Sequence, residues 1–202
     1  TARSSRYRSV MELPVLVENY DPSRHSHLLE RVEELYVGSF PLEERRPWDK
    51  LLGLLSTEPN FTLSLILDAK DGSFAGFLTH WLLENINYGE HFAMDPRLRG
   101  RGWGRALLNV LWQEPCPRAF VFEVEPPTTP IAARRLAFYQ SLGAKIISTS
   151  YLQPPYAAGQ QGMPLYLMAW GGREEDAEQY QRLLYRYIYH VPHSLTPPGG
   201  SL

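Results

Sequence analysis

The apolar positions of the 202-residue chain fall into short runs whose period changes several times. "PVLVENY" (14–20) is β-rich and reads as an opening strand, ended by the turn pair Asp21-Pro22. In "RHSHLLERVEELYVGSF" the residues Leu28, Val32, Leu35 and Tyr36 recur at helical spacing, with Ser23 as the expected cap and Pro41 as the interruption. "LEERRPWDKLLGLL" continues as a second helical piece, bent or restarted at Pro47.

The pattern then becomes β-like. "FTLSLILDA" (61–69) and "SFAGFLTHWLL" (73–83) flank Lys70-Asp71-Gly72 and predict a hairpin, and "INYGEHFAMD" (86–95) adds a third strand. From Gly104 to Gln113 a helix is expected, with Leu107, Leu108 and Leu111 on one side. "AFVFEVE" (119–125) is a strand, and "PIAARRLAFYQSLG" (130–143) is a helix opened by Pro130 and stopped by Gly143. "KIISTSYL" and "PLYLMAW" are two further strands, joined by the loop "QPPYAAGQQGM". "REEDAEQYQRLLYRYIYH" (173–190) reads as a helix, acidic first and richer in arginine later, as the helix dipole prefers. The order predicts one mixed α/β domain over residues 14–190, with a flexible N-terminus at 1–13 and a disordered tail at 191–202.

Charge and composition narrow the function classes. The net charge is −2, so no global basic field exists to hold nucleic acid or anionic lipid. No apolar run approaches the ~20 residues of a membrane helix, and "TARSSRYRS" has no apolar core of a secretory signal. Cys116 stands alone between Pro115 and Pro117, which excludes a disulfide framework and predicts a reducing, cytoplasmic setting. His25 and His27 would point apart by ~200° on a helix, a poor metal pair, so no metal is expected.

The stretch "RLRGRGWGRALL" (97–108) carries the chemistry. It lies between a strand and a helix, where unpaired N–H groups and the helix dipole attract anions. Gly100, Gly102 and Gly104 let the backbone approach closely, and Arg99, Arg101 and Arg105 add charge-assisted bonds. The residues alone therefore read as a phosphate or pyrophosphate cradle, or as a charged turn. The pattern GxxxxGK[ST] is absent, and GxGxxG fails because Leu107 stands where the third glycine belongs. The pattern [R/Q]xxGx[G/A] fits as Arg99-Gly100-Arg101-Gly102-Trp103-Gly104.

On that pattern the segment resembles the coenzyme A pyrophosphate loop of the GCN5-related N-acetyltransferase (GNAT) superfamily. "YGEHFAMDPRLRGRGWGRALL" is similar to the family's fourth strand, loop and third helix. "FVFEVE" with "ARRLAFYQSLGAK" is similar to its fifth strand and fourth helix, where Tyr139 to Gly143 match the signature Y-x-x-L-G. The resemblance covers roughly residues 14–170, with the specific motifs in 90–143; "FPLEERRP" and "LQPPY" further resemble an uncharacterised bacterial subgroup. One departure stands out: the family often has Asn seven residues before the tyrosine, and this chain has Ala132.

The resemblance implies a mixed, mostly antiparallel sheet flanked by helices and splayed at the fourth and fifth strands. It implies acetyl-CoA as acyl donor, held by Phe92, Ala93 and Met94 on the fourth strand and by the loop from Arg99 to Arg105, with the Met94 amide as oxyanion donor. Tyr139 matches the general acid, although a tyrosine on an amphipathic helix is often simply packed. Glu90 ranks first as base. Glu123 and Glu125 alternate on one face of a central strand, where a carboxylate needs a partner or a task; both are assigned to acceptor binding, and which of the three glutamates acts as base is left open. An arginine-paired or edge position is the other reading of all three. The implied acceptor pocket brings in Glu44, Arg45 and Tyr156, whose mixed charges suit an amino-acid-like acceptor or form an ordinary solvated face.

The expected activity is acetyl transfer to a primary amine of a small molecule, without nucleic-acid or membrane partners. A non-catalytic acyl-CoA-binding module is the alternative. The sequence leaves open the acceptor, the acyl chain and whether the C-terminal helix makes a homodimer.

Overall fold

The computed structural model describes residues 15–98, 102 and 118–192. The expectations for 1–13, for the helix from Gly104 to Gln113 and for the tail from 193 onward lie outside the described residues.

Seven strands form one sheet: β1 Val15–Asn19, β2 Phe61–Asp68, β3 Phe74–Leu83, β4 Ile86–Met94, β5 Ala119–Val124, β6 Lys145–Gln153 and β7 Met163–Trp170. Their order is β1-β2-β3-β4-β5-β7-β6. β4 and β5 run parallel and every other neighbouring pair is antiparallel. The mixed, mostly antiparallel sheet expected from the sequence is therefore present.

Helices α1 Pro22–His25, α2 Leu29–Ser39 and α3 Trp48–Thr57 lie between β1 and β2, α4 Pro130–Ser141 between β5 and β6, and α5 Ala177–Leu184 after β7. The expected cap at Ser23 is corrected to Asp21, whose carboxylate accepts the Ser23 N–H at 2.9 Å. Pro22 is the reason: its fixed φ suits the first helical position, so the residue before it becomes the cap. The single helix read from 24 onward is broken by a 3-10 turn at Ser26–Leu28. α4 is capped by Thr129, whose hydroxyl accepts the Ala132 N–H at 3.1 Å, worth about 1 kcal/mol. It stops at Gly143 (φ +92), as predicted.

Strand alternation sorts the core. Leu63, Leu65, Phe77, Trp81, Tyr88 and Val121 face α2, α3 and α5, forming one large cluster. Phe122, Val124, Met168 and Trp170 face the other way and pack with Leu136 of α4. α5 spends its apolar face (Tyr180, Leu183, Leu184) on this chain's own sheet. Among the described residues no helix is long and apolar enough to cross a membrane.

Two irregularities position the site. β4 and β5 pair only from Ile86↔Ala119 to Gly89↔Phe122, although β4 runs on to Met94. Beyond Gly89 the two strands no longer pair, and among the described residues no strand pairs with that edge of β4. Within β4, Thr79 pairs with His91 and His80 with Gly89, which leaves Glu90 as the extra residue of a β-bulge. Bulges of this kind re-aim side chains.

Candidate active site

The gap between the parted strands opens into a cavity of about 850 Å³. Its apolar side is built by Phe92, Ala93, Met94, Leu98, Phe120 and Phe122, and its polar side by Glu44, Glu90, His91, Glu123, Glu125 and Tyr156. Tyr139 of α4 lines it too, packed against Phe122 (ring centroids 4.8 Å) and Trp170 (6.3 Å). Burial pushes the Tyr139 phenol up, so it stays protonated at neutral pH.

The bulge delivers Glu90 into a closed set of donors. Oε1 accepts from Trp81 Nε1 at 2.8 Å, and Oε2 accepts from Arg46 Nη2 and Tyr156 Oη, both at 2.8 Å. Burial pushes this carboxyl up, but the Arg46 charge together with the hydrogen bonds from Trp81 and Tyr156 and the neighbouring His91 holds the group below the ordinary carboxylate range. Arg46 in turn lies over the rings of Tyr156 (5.0 Å) and Trp81 (5.8 Å). The segment carrying Arg46 is pinned by Tyr36, whose hydroxyl accepts the Arg46 N–H at 2.9 Å and donates to the Arg46 carbonyl at 3.0 Å.

Glu123 sits differently. Tyr88 donates to Oε1, and the Tyr189 hydroxyl lies 2.8 Å from Oε1 and 2.9 Å from Oε2. Among the described residues no cation pairs with it, and burial pushes its carboxyl up, with the hydroxyls of Tyr151, Tyr88 and Tyr189 pulling back. Glu125 follows the end of β5 and lines the same cavity, as does Glu44. Burial raises the Glu44 carboxyl, and the charge of Glu125 raises it further. His91 is buried and held neutral by that burial; its Nε2 lies 2.9 Å from the Glu44 carbonyl oxygen, which fixes the wall of the cavity.

Most sequence-derived site residues thus converge: Glu90, Phe92, Ala93, Met94, Gly102, Glu123, Glu125, Glu44, Tyr139 and Tyr156 all line one cavity. Gly102 takes a left-handed φ of +79. Arg45 does not line it; its Nε is buried without a hydrogen-bond partner, and the neighbouring Arg46 reaches Glu90 instead. The backbone at Arg45 is extended (φ −140, ψ 159), so successive side chains there point apart. Arg99, Gly100, Arg101, Trp103, Gly104 and Arg105 lie outside the described residues. Arg97, given no role from sequence, clasps Asp95 through Nε (3.1 Å) and Nη2 (2.7 Å). Sequence reasoning missed Tyr88 and Tyr189; the aromatic density of "LLYRYIYH" was the available signal. Among the described residues no group of three His, Cys, Asp or Glu is placed to hold a metal.

The antiparallel sheet with one parallel pair opened at its end defines the class of fold. The model of the acetyltransferase (GNAT) family matches residues 29–144, and the chain belongs to that family. Among solved structures, a candidate GNAT-family acetyltransferase from Bacteroides thetaiotaomicron is 35% identical with a TM-score of 0.79, over 88% of this chain and 99% of that one. A spermidine N-acetyltransferase from Vibrio cholerae, solved with CoA and spermine, shares the fold at 12% identity and a TM-score of 0.54, over 78% of this chain and 95% of that one. The ribosomal-protein-S18-alanine N-acetyltransferase from Escherichia coli does so at 18% identity and 0.51, over 77% and 92%. No curated protein matches the chain in sequence.

Proposed function

We propose that the protein transfers an acetyl group from acetyl-CoA to the primary amine of a small acceptor by direct attack in a ternary complex. The observation that carries this reading is the parting of β4 and β5 after Gly89, with Tyr139 and Glu123 opening into the same cavity.

The residues present fit an acyl-CoA arm. An extended chain with amide groups can pair with the unpaired edge of β4, while Phe92, Phe120 and Phe122 supply apolar walls. Asp95 N–H donates to Ala75 O at 2.8 Å across β3, so the preceding N–H, that of Met94, points toward the opened side. When bound, acetyl-CoA supplies a thioester-activated acetyl group. The Met94 N–H stabilises the negative charge that develops on the carbonyl oxygen. Tyr139 gives its phenolic proton to the departing sulfur.

Glu123, rather than Glu90, receives the proton of the attacking amine. Both oxygens of Glu90 are filled by donors and its charge is matched by Arg46, which makes it a weak base. Glu90 instead ties Arg46, Trp81 and Tyr156 into the wall of the acceptor end. Among the described residues Glu123 has no paired cation, its donors are neutral side chains, and burial makes it more basic. Glu44 and Glu125 draw the ammonium form of the acceptor into the cavity.

Thermal-shift measurements with acetyl-CoA, longer acyl-CoAs and NAD test the donor. Stabilisation by acetyl-CoA at concentrations where NAD is silent is expected; no shift with any CoA ester overturns the reading. Release of free CoA thiol across a panel of amines then identifies the acceptor.

A further inference from the structure

The C-terminal segment lies beyond residues 29–144, which match the family model, yet it reaches the centre of the site. α5 does not simply end: it passes into a π turn, Tyr185–Tyr189, that keeps Tyr185, Ile188 and Tyr189 buried. Such turns are rare and frequently found at functional sites. Three contacts lock this one. The Tyr185 hydroxyl donates to the Leu152 carbonyl of β6, Tyr187 donates to Glu84 at 2.8 Å, and Tyr189 donates to Glu123. The chain then closes through His190 in the left-handed region (φ 53), with Val191 N–H donating to Tyr185 O at 3.0 Å.

We propose that Tyr189 is a positioning residue of the acceptor site: shared across both oxygens of Glu123, its hydroxyl fixes the plane of the carboxylate that receives the amine proton. This rests on the reading of Glu123 as proton acceptor. Oε1 accepts from Tyr88 as well as Tyr189 and Oε2 from Tyr189, with Tyr151 and Gln153 close enough to the carboxylate to favour its ionised form. The groups facing Glu123 are Tyr88 and Glu90 from β4, Tyr151 and Gln153 from β6, Tyr156 from the following loop, and Tyr185 and Tyr189 from the C-terminal turn. Burial pushes the Glu123 carboxyl up, and the hydroxyls that donate to its ionised form pull it back. Tyr189 also lies 5.4 Å from the Tyr156 ring, so it joins the Glu123 and Glu90 groups into one wall.

Carbon-13 NMR titration of the Glu123 carboxyl, assigned by its loss in Glu123→Gln, tests this in the protein without acceptor. In Tyr189→Phe the midpoint rises by about one pH unit, because a donor to the ionised form is gone. The acid limb of kcat/KM moves with it, while the acetyl-CoA thermal shift is unchanged. A fluorinated tyrosine at position 189, with the same shape and a more acidic hydroxyl, moves the midpoint down. Tyr187→Phe, from the same turn but bonded to Glu84, leaves it in place. An unmoved midpoint in Tyr189→Phe and in the fluorinated protein, or an equal rise in Tyr187→Phe, overturns the proposal. Full turnover in Glu123→Gln overturns the base assignment instead, so the two failures are read from different variants.

Discussion

The Arg46 guanidinium lies 2.8 Å from Glu90 Oε2, with the two side chains 17% and 1% exposed. The pair joins the segment before α3 to the bulge of β4, and Tyr156 on the same oxygen adds the β6–β7 loop. Removing one member of a buried ion pair leaves the other charge without a counter-ion, at about 3–5 kcal/mol. Arg46→Ala is therefore expected to lose about that much in urea unfolding, and Glu90→Gln a comparable amount, because it leaves Arg46 without a counter-ion and turns an amide NH2 toward a donor. The pH dependence follows from the lowered Glu90 pKa: its stabilising effect is present above the unfolded value of 4.5 and is lost as pH falls through the folded value. The difference between wild type and Arg46→Ala should shrink on acidification below pH 4.5. A difference that is constant across that range contradicts the pairing.

Tyr139 sits against Phe122 and Trp170 at the cavity wall, with its phenol pushed up by burial. Tyr139→Phe removes only the hydroxyl and keeps the ring packing. The expected result is an unchanged acetyl-CoA thermal shift with kcat lower by about a hundredfold, the lower range for a lost general acid. An unchanged kcat removes Tyr139 from the proton transfer.

Gly89 is the last residue of β4 paired with β5, and a Cβ there would meet the Phe120 ring at 2.7 and 2.8 Å. Phe120 packs on Phe122 and Trp170, so turning its ring away disturbs the apolar wall of the cleft. Gly89→Ala should change overall stability little, because a ring end can move. It should weaken acetyl-CoA binding by about tenfold, or ~1.4 kcal/mol, measured by titration calorimetry. Unchanged affinity would place the donor arm elsewhere.

Much of the fold was legible because alternation and helical spacing are local properties. The strands, the hairpin at Lys70–Gly72, and the stop at Gly143 all follow from neighbours within a few residues. What escaped depends on pairing over long separations. The opening after Gly89 is set by the register of β4 against β5, and the bulge at Glu90 by its register against β3; neither leaves a mark on composition. Arg45 and Arg46 are chemically equivalent in sequence, and only the extended backbone between them decides which one turns inward. Tyr88 and Tyr189 meet at Glu123 across 101 residues of chain. Glu90 was legible as a base or as an arginine-paired carboxylate; that it is paired, and that the partner is Arg46, required the structure.

Glu44 and Glu125 both line the cavity and lie close enough that the charge of Glu125 raises the Glu44 carboxyl. Two carboxylates brought together in this way repel, and a cationic acceptor between them relieves that repulsion. Glu125→Gln should therefore raise KM for a cationic amine by about five- to tenfold, roughly 1–1.4 kcal/mol, with kcat nearly unchanged. For an amine of lower charge the KM change should be smaller. The Glu44 carboxyl, raised by burial and by Glu125, takes up its proton at a higher pH than an ordinary glutamate. Acceptor KM should accordingly climb as pH falls toward that value, and the climb should begin at lower pH in Glu125→Gln, where the neighbouring charge is gone. Initial-rate measurements of both proteins across the acid range decide this; identical KM profiles would show that the two carboxylates do not bind the acceptor.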